Sequence, residues 1–404
     1  MMTAAAGLAV AVTACGGPGG GEDGVTEITL SVWGPQEDQA DSNSWLQTQE
    51  AAFEAAHPEW KITWRNSVAS ESDAATSVKQ DAPAAADVYM FASDQLGTLV
   101  DASAIGLLPP DVLAQVREQT ADAIIVNSVT GADGQVYAVP FTANTWFMYY
   151  DKSVFTEEDI KSLEAMMAKA AIAFPLDNSW YLPSFYVGNG CTLFGPEGTD
   201  ASAGFDFAGD KAGDVTAYLA NLLRQPNFMV DSMGSGLASI KKGSVSAFFS
   251  GSWDAAAVQE ALGDDFAAAQ LPTFTLDGKQ VQMRSFVGSK AIAFNPYTDH
   301  PQAAAAFAAF LGSTQAQKSH YEMRGIIPTD QSLTSSSEVG ADLVAIAQID
   351  TVANTSALQP GLPTMSNFWD PTENFGKALV SKEVTAANAA KLTEAWNKSL
   401  NVGK

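Results

Sequence analysis

Aromatic side chains stand beside planar polar groups at four places in this chain. These are Trp33 in "WGPQEDQ", Trp180 in "DNSWYLPSF", Trp253 in "FFSGSWD" and Trp369 in "PTMSNFWDP". A flat aromatic ring covers the apolar C–H face of a sugar, while Asp, Asn, Glu and Gln pair with its hydroxyl groups. Each tryptophan taken alone fits core packing better, because aromatic rings gain much free energy from burial. The four together, at predicted strand ends and in loops, indicate a saccharide-binding site.

Residues for enzymatic chemistry are sparse by comparison. The sequence contains no G-x-S-x-G, no P-loop, no G-x-G-x-x-G after a strand and no H-E-x-x-H. The histidines His57, His300 and His320 lack metal-ligand spacing, so no metal and no cofactor is predicted. Glu37 and Asp38 follow the first predicted strand and could act as the acid and base of a glycosidase. That alternative stays open, since the sequence does not give the distance between the two carboxyl groups.

The two cysteines have different surroundings. Cys15 follows the apolar run "AAAGLAVAVTA" of residues 4–14 and precedes "GGPGGGEDG". The run is too short to span a bilayer and has the length of a signal-peptide core. "VTAC" resembles a bacterial lipobox, which predicts a signal peptide over 1–14 and an acylated Cys15 on a flexible tether over 15–25. No Lys or Arg precedes the run, so we expect translation to start upstream of Met1. Cys191 is expected to be a buried, inert thiol.

Composition limits the classes of partner. A chain of 404 residues is longer than a domain with a single hydrophobic core usually is, so two domains are expected. Acidic residues outnumber basic ones 46 to 21, giving a net charge of -25. This charge repels phosphate backbones, so nucleic acid is excluded as a partner.

Hydrophobic periodicity alternates between strands and helices. Strands are predicted at 26–33, 61–68, 86–91, 131–141, 145–151, 171–176, 244–253 and 290–295. Helices are predicted at 44–60 (ending before Pro58), 156–170, 212–224, 300–312 and 386–400. The helix over 156–170 is expected from the capping-box pattern of its first four residues. The order of elements predicts an α/β fold with parallel strands.

Several stretches resemble one family in its own order. They are "ITLSVWGPQEDQ", "FEAAHPEWKI", "ADVYMFASDQLGTLVDA", "GQVYAVPFTANTWFMYYDK", "IKKGSVSAFFSGSW", "LPTF", "SFVGSKAIAFNP" and "QPGLPTMSNFWDP". From about Thr26 onward the chain resembles the extracellular solute-binding lipoproteins of bacterial ABC sugar importers, and among them the maltose/maltodextrin-binding proteins. The opening "WGPQEDQ" is more similar to the Gram-positive branch.

The resemblance implies a two-lobe, periplasmic-binding-protein-like α/β fold with a ligand cleft between lobes joined by crossing hinge strands. The expected lobes are 26–142 plus 290–332 (the N-lobe) and 143–289 plus 333–404 (the C-lobe). It further implies a monomer on the extracellular face of the cytoplasmic membrane, held in the bilayer through Cys15 alone. The lobes would close on an oligosaccharide, and the closed form would dock on the membrane permease.

Binding positions carry over from the family one by one. The resemblance implies ligand contacts from Gln36, Glu37, Asp38, Phe91, Ala92, Asp94, Gln95, Asn144, Asn178, Trp180, Trp253, Trp369 and Glu373. This sequence departs from the best-known maltose-binding pattern at four of these positions. Gln95 and Glu373 stand where that pattern has Arg, and Asn144 and Asn178 stand where it has Glu. The stacking aromatics remain while the hydrogen-bonding groups differ.

A malto-oligosaccharide is therefore the expected ligand. Three alternatives remain open at this point. The first is another oligosaccharide, such as an α-1,6-glucoside, a raffinose-type sugar or a fructo-oligosaccharide. The second is a secreted carbohydrate-active enzyme, and the third is a surface adhesin that binds no small molecule.

Overall fold

The structure is a computed structural model that describes residues 25–40, 43–120, 122–232 and 234–402. The predicted signal peptide, the anchor Cys15 and the tether up to residue 24 lie outside the described residues. Among the helices that are described, none is both long and apolar enough to cross a membrane.

Each of the eight predicted strands has a counterpart among the fifteen strands of the described residues, and seven further short strands are not predicted. In chain order they are β1 Thr26–Gly34, β2 Trp60–Val68, β3 Val88–Ala92, β4 Val139–Asn144, β5 Phe147–Asp151, β6 Ile172–Phe174, β7 Thr192–Leu193, β8 Phe205–Asp206, β9 Phe228–Val230, β10 Ala247–Ser250, β11 Phe266–Ala269, β12 Thr273–Leu276, β13 Lys279–Gln282, β14 Ser285–Phe294 and β15 Ser356–Leu358.

The helices cover the faces of these sheets. They are α1 Trp45–Ala56, α2 Ala74–Gln80, α3 Leu96–Asp101, α4 Pro110–Gln119, α5 Ala123–Ser128, α6 Leu163–Met167, α7 Pro183–Gly188, α8 Gly209–Leu222, α9 Ser235–Lys241, α10 Ala255–Leu262, α11 Pro301–Leu311, α12 Thr314–Arg324, α13 Gln331–Thr334, α14 Leu343–Asn354, α15 Ser366–Val380 and α16 Ala389–Leu400. Helix α1 begins at the N-cap Ser44 and ends before Pro58, as its sequence predicts.

Two mixed sheets form the centres of the two lobes. One has the order β15-β14-β3-β1-β2, with β4 also paired to β14, and the other has the order β11-β5-β10-β6-β9. In the first, β1 is parallel to β2 and β3. In the second, β10, β6 and β9 are parallel to one another. The predicted α/β architecture is confirmed.

Separate hydrophobic cores pack on the two sheets. One core draws on residues 28–141 and 291–316, and another on 146–286 and 365–400. Side chains alternate between the two faces of strand β1, so Ile28, Leu30 and Val32 all point into the core and are buried. The lobe limits 26–142 plus 290–332 and 143–289 plus 333–404 stay a prediction.

The chain crosses between the sheets at three places. The first crossing joins β4 to β5 through Thr145, whose hydroxyl donates to the Phe286 carbonyl of the second crossing at 2.8 Å. That second crossing is β14, which pairs with β15 at its start and with β3 further along. The third is β15 itself, which leads on to α15. These bonded crossings bring the carboxyl ends of both parallel sets to one cleft, where α/β proteins bind ligands.

One predicted helix is wrong. In place of a continuous helix over 156–170, the structure has a 3-10 turn at Asp159–Lys161 and the short helix α6. Ser162 separates them, because its extended backbone forms a bridge to Thr273. The Asp159 carboxylate also turns back to accept from the Thr156 N–H at 2.8 Å. The capping pattern therefore marks a local turn and not the start of a long helix.

Candidate saccharide-binding cleft

A cavity of about 520 Å³ lies where the crossings meet, and we call it the cleft cavity. Both lobes and the crossing segments contribute to its lining. Its residues are Ser72, Ala92, Asp94, Gln95, Asn144, Trp180, Trp253, Lys290, Gln359 and Trp369. The structure thus brings together predicted site residues from five separate stretches of sequence. Ser72, Lys290 and Gln359 are additions that the sequence pattern does not predict.

A second cavity of about 500 Å³ lies within the C-lobe, at the carboxyl ends of β6, β9 and β10. We call it the C-lobe cavity. The predicted residues Asn178 and Glu373 line this cavity and not the cleft cavity, and Trp253 lines both. Glu373 is engaged with Lys377 at 2.5 Å, one helical turn further along α15. Its carboxylate is therefore partly occupied by an ion pair before any ligand arrives.

The three predicted stacking tryptophans form an aromatic wall on the C-lobe side. The rings of Trp180 and Trp253 lie 6.0 Å apart, tilted by 30°. Trp369 is held edge-on by Phe368, at a ring-centre distance of 5.6 Å. Trp253 is 54% exposed, which is unusual for so large an apolar side chain in a folded protein. Exposed aromatic surface beside polar groups is what the apolar face of a sugar requires.

Trp180 is oriented by hydrogen bonds at both ends. The Asn178 side-chain oxygen accepts from the Trp180 backbone N–H at 2.8 Å. The indole N–H donates to the side-chain oxygen of Gln359 at 2.7 Å. Gln359 is buried and directly follows β15, so the third crossing segment fixes the angle of this ring. Neither its residue type nor its spacing distinguishes Gln359 in the sequence, which is why sequence reasoning misses it.

Polar groups line the N-lobe side and the crossings. Burial raises the pKa of the Asp94 carboxyl to about 6. Among the described residues, none but Asp94's own backbone donates to this carboxylate, so it is available to a ligand hydroxyl. Lys290 reaches Glu71 at 3.1 Å, which places an ion pair at the cleft wall. Asn144 lies at the end of β4, at the first crossing.

Gln95 lines the cleft cavity, but its side-chain amide is already hydrogen-bonded to the backbone of the segment 71–75. Its oxygen accepts from the Ala75 N–H at 2.8 Å, and its nitrogen donates to the carbonyls of Glu71, at 3.2 Å, and Ser72. Gln95 therefore holds the segment 71–75 against the cleft wall. The predicted contact of Gln95 with the ligand stays a prediction, and its hydrogen bonds give it a positioning role as well.

The loop Gln36–Asp38 after β1, which is expected to contact the ligand, does not line the cleft cavity. Gln36 and Glu37 are exposed at the carboxyl end of β1 but do not line the cleft cavity. Asp38 is buried, and its carboxylate lies 3.0 Å from Nε2 of His320. That histidine stacks on Trp45 at a ring distance of 3.8 Å. Asp38 thus stabilises the packing of α12 on the N-lobe, and its placement does not support a ligand contact.

Phe91 does not line the cleft cavity, and its contact with the ligand stays a prediction. Strand β3 is buried on both faces, and Phe91 is 0% exposed within the N-lobe core. Its neighbour Ala92 reaches the cleft cavity because successive side chains of a strand point to opposite faces. Of these two neighbours, Ala92 therefore faces the cleft cavity and Phe91 faces the N-lobe core. Cys191 is buried, and burial raises the pKa of its thiol to about 12, as expected for an inert cysteine.

Comparisons with known proteins identify the family. A model of the bacterial extracellular solute-binding protein family matches residues 49–348. A maltooligosaccharide ABC transporter solute-binding lipoprotein of Streptococcus pneumoniae strain R6 is 27% identical over 322 residues, covering 75% of this chain and 74% of that protein. A galactooligosaccharide-binding protein of Bacillus subtilis strain 168 is 25% identical over 364 residues, covering 85% and 83%.

A solved structure of a protein with acarbose is 45% identical to this chain. It covers 93% of this chain and 99% of its own, with a TM-score of 0.85. The family model spans most of the chain, and the cleft has the aromatic wall and polar groups of a saccharide site. The chain belongs to the bacterial extracellular solute-binding proteins, a family of non-enzymatic transport components.

Proposed function

We propose that this protein captures malto-oligosaccharides and delivers them to the permease of an ABC importer by closure of its two lobes. The observation that carries the proposal is the aromatic wall of Trp180, Trp253 and Trp369 around the cleft cavity, facing Asp94 and Asn144. Three rings match successive apolar faces along a linear glucan, while the polar groups match its hydroxyls. The 45% identical structure with acarbose, itself a pseudo-oligosaccharide, supports this class of ligand.

The proposal includes closure around the sugar. Residues of both lobes line the cleft cavity, so a ligand touching both sides favours the closed form by its additional contacts. We propose that the protein acts as a monomer and that its closed form is what the permease recognises. Only the closed form holds the surfaces of the two lobes at a fixed distance and angle, which a permease could recognise.

A galactooligosaccharide is the second candidate ligand, because the relative from Bacillus subtilis is named for binding one. Both ligands have C–H faces for the aromatic wall, but their hydroxyl groups are directed differently. The hydrogen-bonding groups Asp94, Asn144 and Lys290 therefore decide between them. An α-1,6-glucoside, a raffinose-type sugar or a fructo-oligosaccharide would differ at the same groups.

Calorimetric titration separates these ligands. We expect saturable 1:1 binding of maltose, maltotriose or maltotetraose, and weaker binding of panose, raffinose and a β-1,4-galactotriose. At about 100 times Kd the bound sugar should stabilise the fold by about 2.7 kcal/mol, seen as a higher Tm. The scattering radius should decrease at saturation as the lobes close.

The outcomes of the titration have separate meanings. Binding of the galactotriose or raffinose alone would overturn the malto-oligosaccharide assignment and keep the transport role. A folded protein that binds none of the sugars would overturn the saccharide proposal. A constant scattering radius at saturation would contradict lobe closure.

We further propose that Cys15 carries the lipid that holds the protein at the extracellular face of the cytoplasmic membrane. The proposal depends on the sequence "VTACGG" after an apolar run, since this segment lies outside the described residues. Two acyl chains are enough for stable anchoring. Replacing Cys15→Ser in the secreted precursor should abolish palmitate labelling and move the protein from membranes to the medium. Unchanged labelling and membrane retention would contradict the assignment.

A further inference from the structure

Trp253 lies directly against a residue that has no side chain. Its six-membered ring covers Gly251, two positions earlier at the end of β10. A Cβ atom built on Gly251 would lie 2.6 Å from Cε3 of the indole, and closer still to Cζ3 and Cη2. Non-bonded carbon atoms prefer separations of about 3.5–4.0 Å. Any side chain at position 251 must therefore displace this ring or shift the backbone.

The backbone at Gly251 is held in place. The hydroxyl of Tyr149 donates to the Gly251 carbonyl at 2.9 Å. Tyr149 is itself fully buried and stacks on Phe248 at a ring distance of 5.6 Å. The Ser250 hydroxyl closes the following turn by donating to the Asp254 carboxylate at 2.6 Å. Because these contacts fix the turn, the exposed indole is the part that moves.

Backbone conformation does not require glycine at this position. Gly251 has φ -95° and ψ -173°, which is extended backbone that any L-residue adopts. By contrast, Gly243 in the same lobe has φ +68°, where a side chain is strained whatever the space around it. The reason for a glycine at 251 is thus the space that the Trp253 ring occupies.

We propose that Gly251 is a positioning residue that holds the Trp253 ring where it lines both the cleft cavity and the C-lobe cavity. This inference rests on the proposed saccharide function for its effect on binding. The Trp253 ring lies 6.0 Å from the ring of Trp180 and also covers Gly251. A methyl group at position 251 displaces the Trp253 indole, and the surface that this ring offers for stacking beside Trp180 is lost. The fold tolerates this movement because the ring is 54% exposed.

A double-mutant cycle tests the inference with the full chain and maltotriose. We expect Gly251→Ala to weaken binding by about tenfold, approaching the loss in Trp253→Ala. In the Trp253→Ala background, Gly251→Ala should cause no further loss, since there is no ring to displace. The matched control is Gly340→Ala, where an added Cβ meets no atom within 4 Å and the φ angle is not positive. Equal losses in both backgrounds would overturn the inference, because Gly251 would then act independently of Trp253.

A readout without sugar keeps this inference separate from the proposed function. The indole N–H resonance of Trp253, assigned by its loss in Trp253→Phe, should shift in Gly251→Ala and stay in place in Gly340→Ala. If the wild-type protein binds no sugar, the proposed function fails while this resonance still reports the contact. An unchanged resonance in Gly251→Ala would overturn the positioning role. A folded Gly251→Ala variant with wild-type affinity for maltotriose would overturn its role in sugar binding.

Discussion

Replacing Trp253→Ala or Trp369→Ala should each weaken malto-oligosaccharide binding by about thirtyfold or more, the size of a tryptophan hot-spot loss of about 2 kcal/mol. Both rings line the cleft cavity, where a saccharide desolvates their faces. Stability should change much less for Trp253, because its ring is already 54% exposed in the sugar-free protein. The Trp369 variant should lose somewhat more stability, since its ring also packs edge-on against Phe286 and Phe368.

The measurement is calorimetric titration with maltotriose, accompanied by the Tm of each variant. Trp60→Ala is the matched control, because Trp60 begins β2 at the amino end of the parallel strands, the opposite edge from the cleft. Its ring packs on Phe53 and His57 and has no part in the wall. We expect that control to lose some stability and to keep its affinity. Unchanged affinity in both cleft variants would show that these tryptophans do not stack on the sugar.

The aromatic wall is predictable from the sequence for a physical reason. Trp180 follows the predicted strand 171–176 and Trp253 ends the predicted strand 244–253, and the carboxyl ends of parallel strands meet at one sheet edge. Their positions in the chain are therefore enough to place the two rings near one another. Trp369 is different, because it lies on the helix α15, and only the family resemblance predicts its place at the cleft.

The residues that sequence reasoning misses share a different property. Gln359, Lys290 and Gly251 act through the position of another group: the Trp180 indole, the Glu71 carboxylate and the Trp253 ring. Nothing in their own type or spacing shows which partner the fold brings to them. The contacts of Gln359 and Lys290 join stretches that are distant in the chain. The contact of Gly251 depends on the rotamer of Trp253. A local sequence pattern therefore predicts none of these contacts.

Asp38 and Phe91 show that the direction of a side chain is harder to predict than its place in the chain. Both belong to stretches that carry the family resemblance. Which way each side chain points depends on helices packed above and below, such as α12 with His320 over Asp38. A strand buried on both faces has no polar alternation to show which of its residues faces the ligand.

Sugar affinity should fall in acid, with Asp94 as the titrating group. Burial raises the pKa of this carboxyl to about 6 in the sugar-free protein. A ligand hydroxyl donates to the ionised carboxylate, so binding favours the charged form and releases a proton at low pH. At pH 5 about a tenth of the carboxyl groups are ionised, so the affinity should be roughly tenfold below its value at neutral pH. Titration of maltotriose between pH 4.5 and 7.5 gives this curve, which should level off above pH 7.

Stability of the sugar-free protein should respond to the same group with the opposite sign. The folded state binds the Asp94 proton more tightly than the unfolded chain, where the carboxyl has its ordinary pKa of 3.8. As the pH rises through this window up to about 6, the Asp94 contribution to the free energy of unfolding therefore decreases. Sugar affinity rises over the same range, so the two quantities change in opposite directions. Unspecific destabilisation of the fold by acid would instead lower the sugar affinity and the free energy of unfolding together.

Asp94→Asn separates this carboxyl from the other groups that titrate nearby. The variant should bind sugar more weakly than wild type at pH 7 and with little dependence on pH, since the amide cannot ionise. Glu50, whose pKa burial raises to about 7, remains in the variant, with its carboxylate held by Asn66 at 2.6 Å in the N-lobe. If Asp94→Asn keeps the wild-type pH profile, a group such as Glu50 controls the pH dependence of affinity and the Asp94 carboxylate does not.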